Sequence, residues 1–219
     1  MAAGLEGDEF KLVGGSPSLD FVNTVGGWGG NLLKRVPRDF RDTVLSEKLA
    51  GYTDLLAWSR RVGLLTDKEA RGLLRLAKQK PQAAAAVLKR ALKLRTAIYR
   101  LFKSVVENWR PDAQDVERLS EELCVARNHE QLVHDEDKFC WSWDAGDTAL
   151  DRMLWPVALS AAGLLTSGDL SRIRQCGGDN CGWLFLDTSR NRSRQWCAMN
   201  DCGNLAKVRR FRRRQREGN

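Results

Sequence analysis

The chain has 219 residues, of which 42% are hydrophobic, and its formal net charge is +8. This length and composition suit one folded domain with a small appendage and exclude a disordered chain. No stretch approaches the roughly 20 apolar residues that a membrane helix requires, and residues 1–10 contain acidic groups where an export signal would have a basic segment. We therefore expect a cytoplasmic protein with no membrane partner.

The first third of the chain shows a mixture of turn and helix signals. Residues 10–25 begin with a short strand-like piece and a Gly-Gly-Ser-Pro turn, and the glycine-rich residues 26–30 lead into a loop through Pro37. Apolar residues then recur at helical spacing over residues 45–62. A capping-box pattern at residues 66–69 predicts the start of a second helix.

The middle of the chain is predicted to be helical. After Pro81, apolar residues follow one face of a long helix that Pro111 should end. A further apolar pattern over residues 116–123 predicts another helix. Together these patterns favour an α-helical body.

Two features interrupt or complete this body. Short alternating runs at residues 131–134 and 139–143 are typical of a β-hairpin. Residues 147–166 are apolar almost all round, which predicts a central buried helix with Pro156 as a kink or as the start of its second half. The expected fold class is therefore mainly α with a small β component, that is, α+β.

The positive charge is concentrated at the C-terminal end. Residues 187–219 contain ten Lys or Arg and three Asp or Glu, whereas residues 1–186 contain 26 and 25. A basic block of this density predicts a polyanion partner. Because Leu205, Val208 and Phe211 supply only a thin apolar face, nucleic acid is favoured over a membrane surface.

Four of the six cysteines form two equal pairs. Cys176 and Cys181 are separated by four residues, and so are Cys197 and Cys202. Paired cysteines in a reducing compartment predict tetrahedral zinc coordination, and four sulfur ligands leave no open position for catalysis. Four free thiols and an iron–sulfur cluster remain as alternatives.

The basic residues beside the cysteines fall in two segments. Residues 189–194 alternate arginine with small polar residues, and residues 204–216 are predicted to form a helix whose apolar residues, Leu205, Val208 and also Phe211, pack on the zinc module. The arginine fork can grip phosphate or a guanine edge in a bidentate manner. A solvated tail is the alternative. The candidate nucleic-acid-binding residues are Arg190, Arg192, Arg194, Lys207, Arg209, Arg210, Arg213 and Arg214.

A second candidate site lies near the N-terminus. Asp20, Asn23 and Thr24 adjoin apolar Phe21 and Val22, a combination that suits a small-molecule pocket. The alternative is that these polar side chains cap a helix or turn. The residues do not name a ligand, so the possible partner is an unidentified small-molecule effector.

The segment CGWLFLDTSRNRSRQWCAMNDCGN at residues 181–204 resembles the CGNR-type zinc finger of bacterial transcription regulators. The run SLDFVNT at residues 18–24 resembles the signature of the ABATE domain that usually precedes this finger. The resemblance implies residues 1–169 as an ABATE-like body, residues 170–219 as the finger, DNA binding, and a role in stress-linked gene regulation. The finger is named after its CGNR motif, and Leu205 occupies the position at which that motif has arginine.

These features predict a DNA-binding transcription regulator with a sensor-like N-terminal domain. An RNA-binding protein is the alternative, since an arginine-rich helix also suits structured RNA. An unrecognised enzyme is less favoured, because His129 and His134 are the only histidines and both lie around the predicted hairpin. A homodimer would double the contacts of a small finger with DNA.

Overall fold

The computed structural model describes residues 10–29, 44–143, 149–167 and 169–217. Within these residues, helices form a body and two short strands begin a cysteine-bearing module, which confirms the mainly α fold class with a small β component. The loop predicted through Pro37 and the predicted helix start at residue 147 lie outside the described residues.

The strands form two separate two-stranded sheets, and each sheet pairs strands that are consecutive in the chain. Each sheet is an antiparallel pair, β1 with β2 and β3 with β4. The α-helices are α1 (Pro17–Val22), α2 (Tyr52–Arg61), α3 (Asp67–Gln79), α4 (Pro81–Val106), α5 (Ala113–Asn128), α6 (Leu154–Thr166) and α7 (Asn204–Glu217). The strands are β1 (Glu130–Asp135), β2 (Lys138–Trp143), β3 (Ile173–Gln175) and β4 (Leu184–Leu186), with a 3-10 turn at Leu170–Arg172 and a π turn at Met199–Gly203.

The N-terminal segment differs from its prediction. Residues 10–13 form no strand, and the first regular element is the helix α1. Ser16 caps this helix by accepting a hydrogen bond from the Leu19 N–H, and Pro17 occupies its first position, where proline's fixed φ is favourable. The SLDFV part of the run therefore lies in a short buried helix, and Asn23 caps its C-terminal end.

The helix predicted over residues 45–62 is shorter than expected. Gly51 caps α2, and the Asp54 carboxylate accepts a hydrogen bond from the Gly51 N–H at 2.8 Å. Residues 44–47 instead form isolated β-bridges with residues 25–28. The capping box at residues 66–69 is confirmed at the start of α3.

The long helix α4 is confirmed, but it ends at Val106 and not at Pro111. Asn108 adopts a φ of 52°, a left-handed conformation that is incompatible with a continuing helix. The hairpin is also confirmed, with Leu132 opposite Trp141 and His134 opposite Phe139.

The helix α6 begins at Leu154, so Pro156 lies in its first turn and produces no kink. Trp155, Val157 and Ala158 are fully buried, whereas Gly163 and Thr166 near the other end are exposed. The helix is thus buried along one side as far as Ala161 and is exposed on part of its surface, which corrects the prediction of burial all round.

One apolar cluster joins the body to the cysteine module. It contains Trp28 and Trp58 from the body together with Leu184 and Phe185 from β4. The Trp28 ring stacks on Tyr99 of α4 at 3.8 Å between ring centroids. Because the same cluster serves both parts, packing of the body fixes the position of the module.

A buried ion pair ties α4 to the N-terminal segment. The Arg95 guanidinium is almost fully buried and donates to the two carboxylate oxygens of Glu47 at 2.7 and 2.5 Å. It also donates to the carbonyl oxygen and the hydroxyl of Thr24. Burial alone would raise the pKa of Glu47, but hydrogen bonds from Arg95 and the Leu49 N–H outweigh it and lower that pKa.

We expect Glu47→Gln to lower the free energy of unfolding by about 1–2 kcal/mol at pH 7, because a charge-assisted pair becomes a weaker neutral contact. The pKa of Glu47 is lower in the folded chain than its ordinary 4.5. The pair therefore stabilises the fold above about pH 4.5, and this stabilisation is lost as the pH falls through the folded pKa.

The measurement is urea unfolding of both proteins between pH 7 and pH 3, with Glu121→Gln as the control because Glu121 is an exposed carboxylate on α5. The stability difference for Glu47→Gln should shrink on acidification. A difference that stays constant with pH would contradict the assigned ion pair.

Candidate metal centre and nucleic-acid interface

The first cysteine pair is positioned by the β3–β4 hairpin. Cys176 follows β3 directly, and its N–H donates to the Trp183 carbonyl at 2.8 Å. Gly178 lies in the connecting turn, where an added Cβ would come within 3.1 Å of the Cys202 sulfur and 3.2 Å of Cys181 Cβ. The turn therefore needs a residue without a side chain to bring the cysteines together.

The second pair comes from the returning chain. The Gly177 N–H donates to the Gln195 carbonyl at 3.0 Å, and the Cys197 N–H donates to the Cys176 sulfur at 3.3 Å. Cys202 lies in the π turn that immediately precedes α7. The metal ligands and the basic helix are consequently joined by one covalently continuous turn.

The four sulfur atoms all lie within 4.8 Å of one another. The Cys181–Cys197 and Cys197–Cys202 sulfur pairs are both 3.6 Å apart. A disulfide needs about 2.05 Å, whereas tetrahedral zinc with bonds of about 2.3 Å places sulfurs about 3.8 Å apart. The cluster thus fits a zinc ion held by Cys176, Cys181, Cys197 and Cys202, which confirms the expected cofactor.

The ionisation of the cluster also favours a cation. Hydrogen bonds from Cys181 and then Cys197 lower the pKa of the Cys176 thiol to about 2, whereas the bond with Cys176 raises the pKa of Cys181. One thiolate is stabilised by thiols that stay protonated, because adjacent negative charges repel one another. Zinc supplies the charge that allows all four sulfurs to be thiolates.

A helical body with a built-in four-cysteine cluster that fits zinc defines the class of zinc-finger proteins. The ABATE family, described as "Putative stress-induced transcription regulator", matches residues 15–168, and the CGNR zinc finger matches residues 172–215. The chain belongs to the ABATE family and carries a CGNR zinc finger, which confirms the resemblance. A search of curated proteins found no match.

The polar residues of the SLDFVNT run are engaged within the protein. Asp20 accepts a hydrogen bond from the Gly14 N–H at 2.8 Å, and its burial raises the pKa of its carboxyl. The Thr24 hydroxyl donates to the Phe21 carbonyl at 2.7 Å. The Asn23 amide donates to the Leu184 carbonyl at 2.8 Å and accepts from the Leu184 N–H at 3.0 Å.

This arrangement gives Asp20, Asn23 and Thr24 structural contacts. All three side chains are buried. Asn23 binds the backbone of β4 as a neighbouring strand would, and thereby attaches α1 to the zinc module. Of the three, Asn23 is the residue that bonds to the module, whereas the hydrogen bonds of Asp20 and Thr24 given above lie within the body.

The three arginines of the 189–194 loop have different environments. Arg190 is exposed, and Arg192 forms an ion pair with Asp169 at 3.3 Å. Arg194 is half-buried, stacks over the Phe185 ring and donates to the carbonyls of Val13, Leu186, Trp196 and Cys197. Arg194 is therefore committed to holding the loop, a role that its alternation with polar residues could not reveal.

The helix α7 is mostly exposed to solvent. Among its described side chains, Ala206 is the only one that is half-buried, and all those of residues 207–216 are exposed. Leu205, Val208 and Phe211 are 57%, 47% and 63% exposed, so the prediction that they pack on the finger is wrong. At 100° per residue, Val208 lies about 160° around the helix from Ala206, which explains why it faces solvent.

A groove of about 580 Å³ separates α7 from the zinc turn. Arg209, Arg210 and Arg213 line its helical side, and Arg209 forms an ion pair with Asp179. Lys11 also lines the groove and pairs with Asp201 at 2.8 Å. Sequence reasoning missed Lys11, because an isolated lysine far from the cysteines gives no signal of this proximity.

Outside the cysteine cluster, the chain's two histidines each contact an aromatic ring. No second group of His, Cys, Asp or Glu that could hold a metal occurs there. His129 stacks on Trp155 at 4.0 Å, and His134 contacts Phe139 at 4.9 Å. Within the same residues, no helix is both long and apolar enough to cross a bilayer.

We expect purified protein to contain about one zinc per chain, and expect Cys176→Ser and Cys202→Ser to lose it, because each removes one of four ligands. Elemental analysis after dialysis measures the metal content. Cys124→Ser is the matched control, since Cys124 is an exposed free thiol outside the cluster. Full zinc retention by both ligand variants would refute the assigned site.

We expect Asn23→Ala to lower the free energy of unfolding by about 2–4 kcal/mol, because it leaves both buried backbone groups of Leu184 without a partner. Chemical unfolding in excess zinc measures the change. Asn128→Ala on the exposed end of α5 should stay within about 0.5 kcal/mol of the original protein. An equal effect of the two substitutions would contradict the proposed attachment.

Proposed function

We propose that the protein is a DNA-binding transcription regulator whose zinc module presents α7 to the duplex. The observation that carries this proposal is the exposure of an arginine-rich helix that directly follows the turn containing Cys202. Residues 204–217 contain seven basic residues and one acidic residue. A helix of this length extends roughly 20 Å, enough to lie in a major groove about 12 Å wide.

The cations of α7 are not equivalent. Lys207, Arg210 and Arg214 recur after three and four residues, so they share one face of the helix. Arg209 is paired with Asp179 and lies beside the groove, about 100° around the helix from Arg210 and so outside that face. We propose that Lys207, Arg210 and Arg214 contact phosphates or bases first, with Arg209 and Arg213 at the side nearest the zinc.

The loop contributes fewer contacts than its composition suggests. Arg190 is exposed and available to phosphate, whereas Arg192 must exchange its ion pair with Asp169 for one with DNA. Arg194 supports the interface from beneath through its four carbonyl partners. We therefore propose Arg190 as the principal loop contact and Arg194 as a positioning residue.

Leu205, which replaces the arginine of the CGNR motif, bears on which DNA sequence the finger recognises. Leu205 lies at the first turn of α7 and is exposed beside the groove. Any base contact made by an arginine at this position is absent here, while Lys207 and Arg209 within the next turn can still contact phosphate. Affinity for nucleic acid is consequently assigned to the charge of α7.

We expect log affinity for duplex DNA to fall with log salt at a slope near −5, because about six phosphate contacts release about five counterions. Fluorescence anisotropy with a labelled 25–30 base-pair duplex at several salt concentrations measures the slope. A salt-independent affinity, or no binding at low salt, would contradict the proposal.

Single-residue variants test the assigned contacts. Arg210→Gln and Arg214→Gln should each reduce the magnitude of the salt slope by about one, because each removes one phosphate contact. Arg71→Gln is the control, since Arg71 is exposed on α3 in the body. Equal losses in all three variants would mean that net charge alone governs binding.

Crosslinking in cells distinguishes DNA from RNA as the partner. Enrichment on promoter DNA supports the regulator, and enrichment on transcripts supports the alternative of an RNA-binding protein.

We further propose that the helical body has the sensor role. The apolar cluster that joins Trp28 to Leu184 would transmit a rearrangement of the body directly to the zinc module.

A further inference from the structure

The β1–β2 hairpin exposes a second apolar surface that the proposed DNA-binding function does not use. Leu132, Phe139 and Trp141 are 58%, 71% and 68% exposed. Leu132 lies opposite Trp141 and His134 opposite Phe139, and the positions alternate by two along each strand. These four side chains therefore share one face of the hairpin. We call them the hairpin face.

Exposed aromatic side chains of this size indicate an interaction surface. Isolated surface apolar residues are ordinary, but two aromatic rings and a leucine on one face form a continuous patch. Aromatic anchors are the residues that contribute most to binding at protein interfaces. The hairpin face is consequently suited to a partner with an apolar stripe of its own.

Such a stripe exists on α7. Leu205, Val208 and Phe211 recur every third residue, and they lie within about 120° of the helix circumference. This apolar stripe is adjacent to the face formed by Lys207, Arg210 and Arg214. Leu205 also borders the groove beside the zinc turn, whereas Val208 and Phe211 lie outside the lining of that groove. Arg212 lies between Leu205 and Val208 around the helix, so the stripe has cations within it and along its border.

The charges of the two surfaces are complementary. Residues 130–143 contain four acidic residues and one basic residue, whereas residues 204–217 contain seven basic and one acidic. Glu136 and Asp137 are exposed at the hairpin tip, and Arg212 is exposed within the apolar stripe, so the two surfaces carry opposite charges. Opposite charges at the border of an apolar contact fix its orientation.

The hairpin and α7 belong to separate parts of the fold. The helix α7 makes its main contact with the π turn at Met199–Gly203, and the hairpin strands make theirs with each other. Two identical helices meeting along their stripes would bring arginines together, which disfavours a contact between two α7 helices. A contact between two hairpin faces would likewise oppose their acidic tips.

We propose that two copies of this chain associate reciprocally, with the hairpin face of each copy covering the α7 apolar stripe of the other. A two-fold axis generates both contacts at once, so the assembly closes as a dimer. The face that carries Lys207, Arg210 and Arg214 remains beside the contact. The proposal concerns the protein alone and does not rest on DNA binding.

Analytical ultracentrifugation of the zinc-loaded full chain without nucleic acid tests the association. The original protein should sediment as a dimer. Phe139→Ser/Trp141→Ser and, separately, Val208→Glu should each weaken the dimer at least about 30-fold, as loss of a central anchor does. Val116→Ser is the control, because Val116 is an exposed apolar residue on α5 outside both surfaces.

Mixing the two weakened variants identifies which surfaces meet. The intact hairpin of Val208→Glu can dock on the intact α7 of Phe139→Ser/Trp141→Ser, so the mixture should form a heterodimer through one restored contact. Circular dichroism and zinc content confirm that each variant is folded. A monomeric original protein, a dimer that neither variant weakens, or a mixture without heterodimer would each overturn the proposal.

Discussion

The amide of Asn23 pairs with both backbone groups of Leu184, and the rest of the structure depends on this attachment of α1 to β4. The Trp28 N–H adds a hydrogen bond to the Cys181 carbonyl at 2.8 Å, and the Trp183 indole donates to the Val25 carbonyl at 3.0 Å. A segment near the N-terminus thus provides hydrogen-bond partners for a module that lies more than 150 residues later in the sequence. Buried backbone groups need partners, so neither side can be moved without cost.

Close approach of the two segments requires glycine at particular positions. A Cβ on Gly27 would lie 2.1 Å from the Asn180 carbonyl oxygen, and one on Gly182 would lie 2.6 Å from the Trp28 carbonyl oxygen. Gly182 also has a φ of 63°, which glycine adopts without strain. Gly27 is therefore explained by contact with the zinc module, where sequence reasoning assigned only a loop.

The same attachment determines how the basic residues divide. Zinc fixes the two cysteine pairs, and Arg194 ties the intervening loop to four carbonyl oxygens, so the chain enters α7 in a defined direction. With the module buried against the body on one side, α7 is left with solvent around most of its circumference. Its cations and its apolar stripe then become two adjacent surfaces, which supports separate roles in nucleic-acid binding and self-association.

The sequence by itself determined the features that depend on local spacing. Two cysteine pairs predicted the zinc cluster, Thr66 and Glu69 predicted a capped helix start, and alternating runs predicted the hairpin, because each signal lies within a few residues. The family resemblance at residues 18–24 and 181–204 was also readable directly. These predictions required no knowledge of which segments meet in space.

The tertiary structure alone decided the roles that depend on distant partners. Asn23 binds both backbone groups of Leu184 and Arg194 binds the Val13 carbonyl, contacts that neither residue's sequence neighbours reveal. Val208 looks like a core residue, yet it faces solvent because Ala206 takes the side nearest the module. The residue type limits the contacts that a side chain can make, and the packing of the folded chain determines which partner is close enough to be bound.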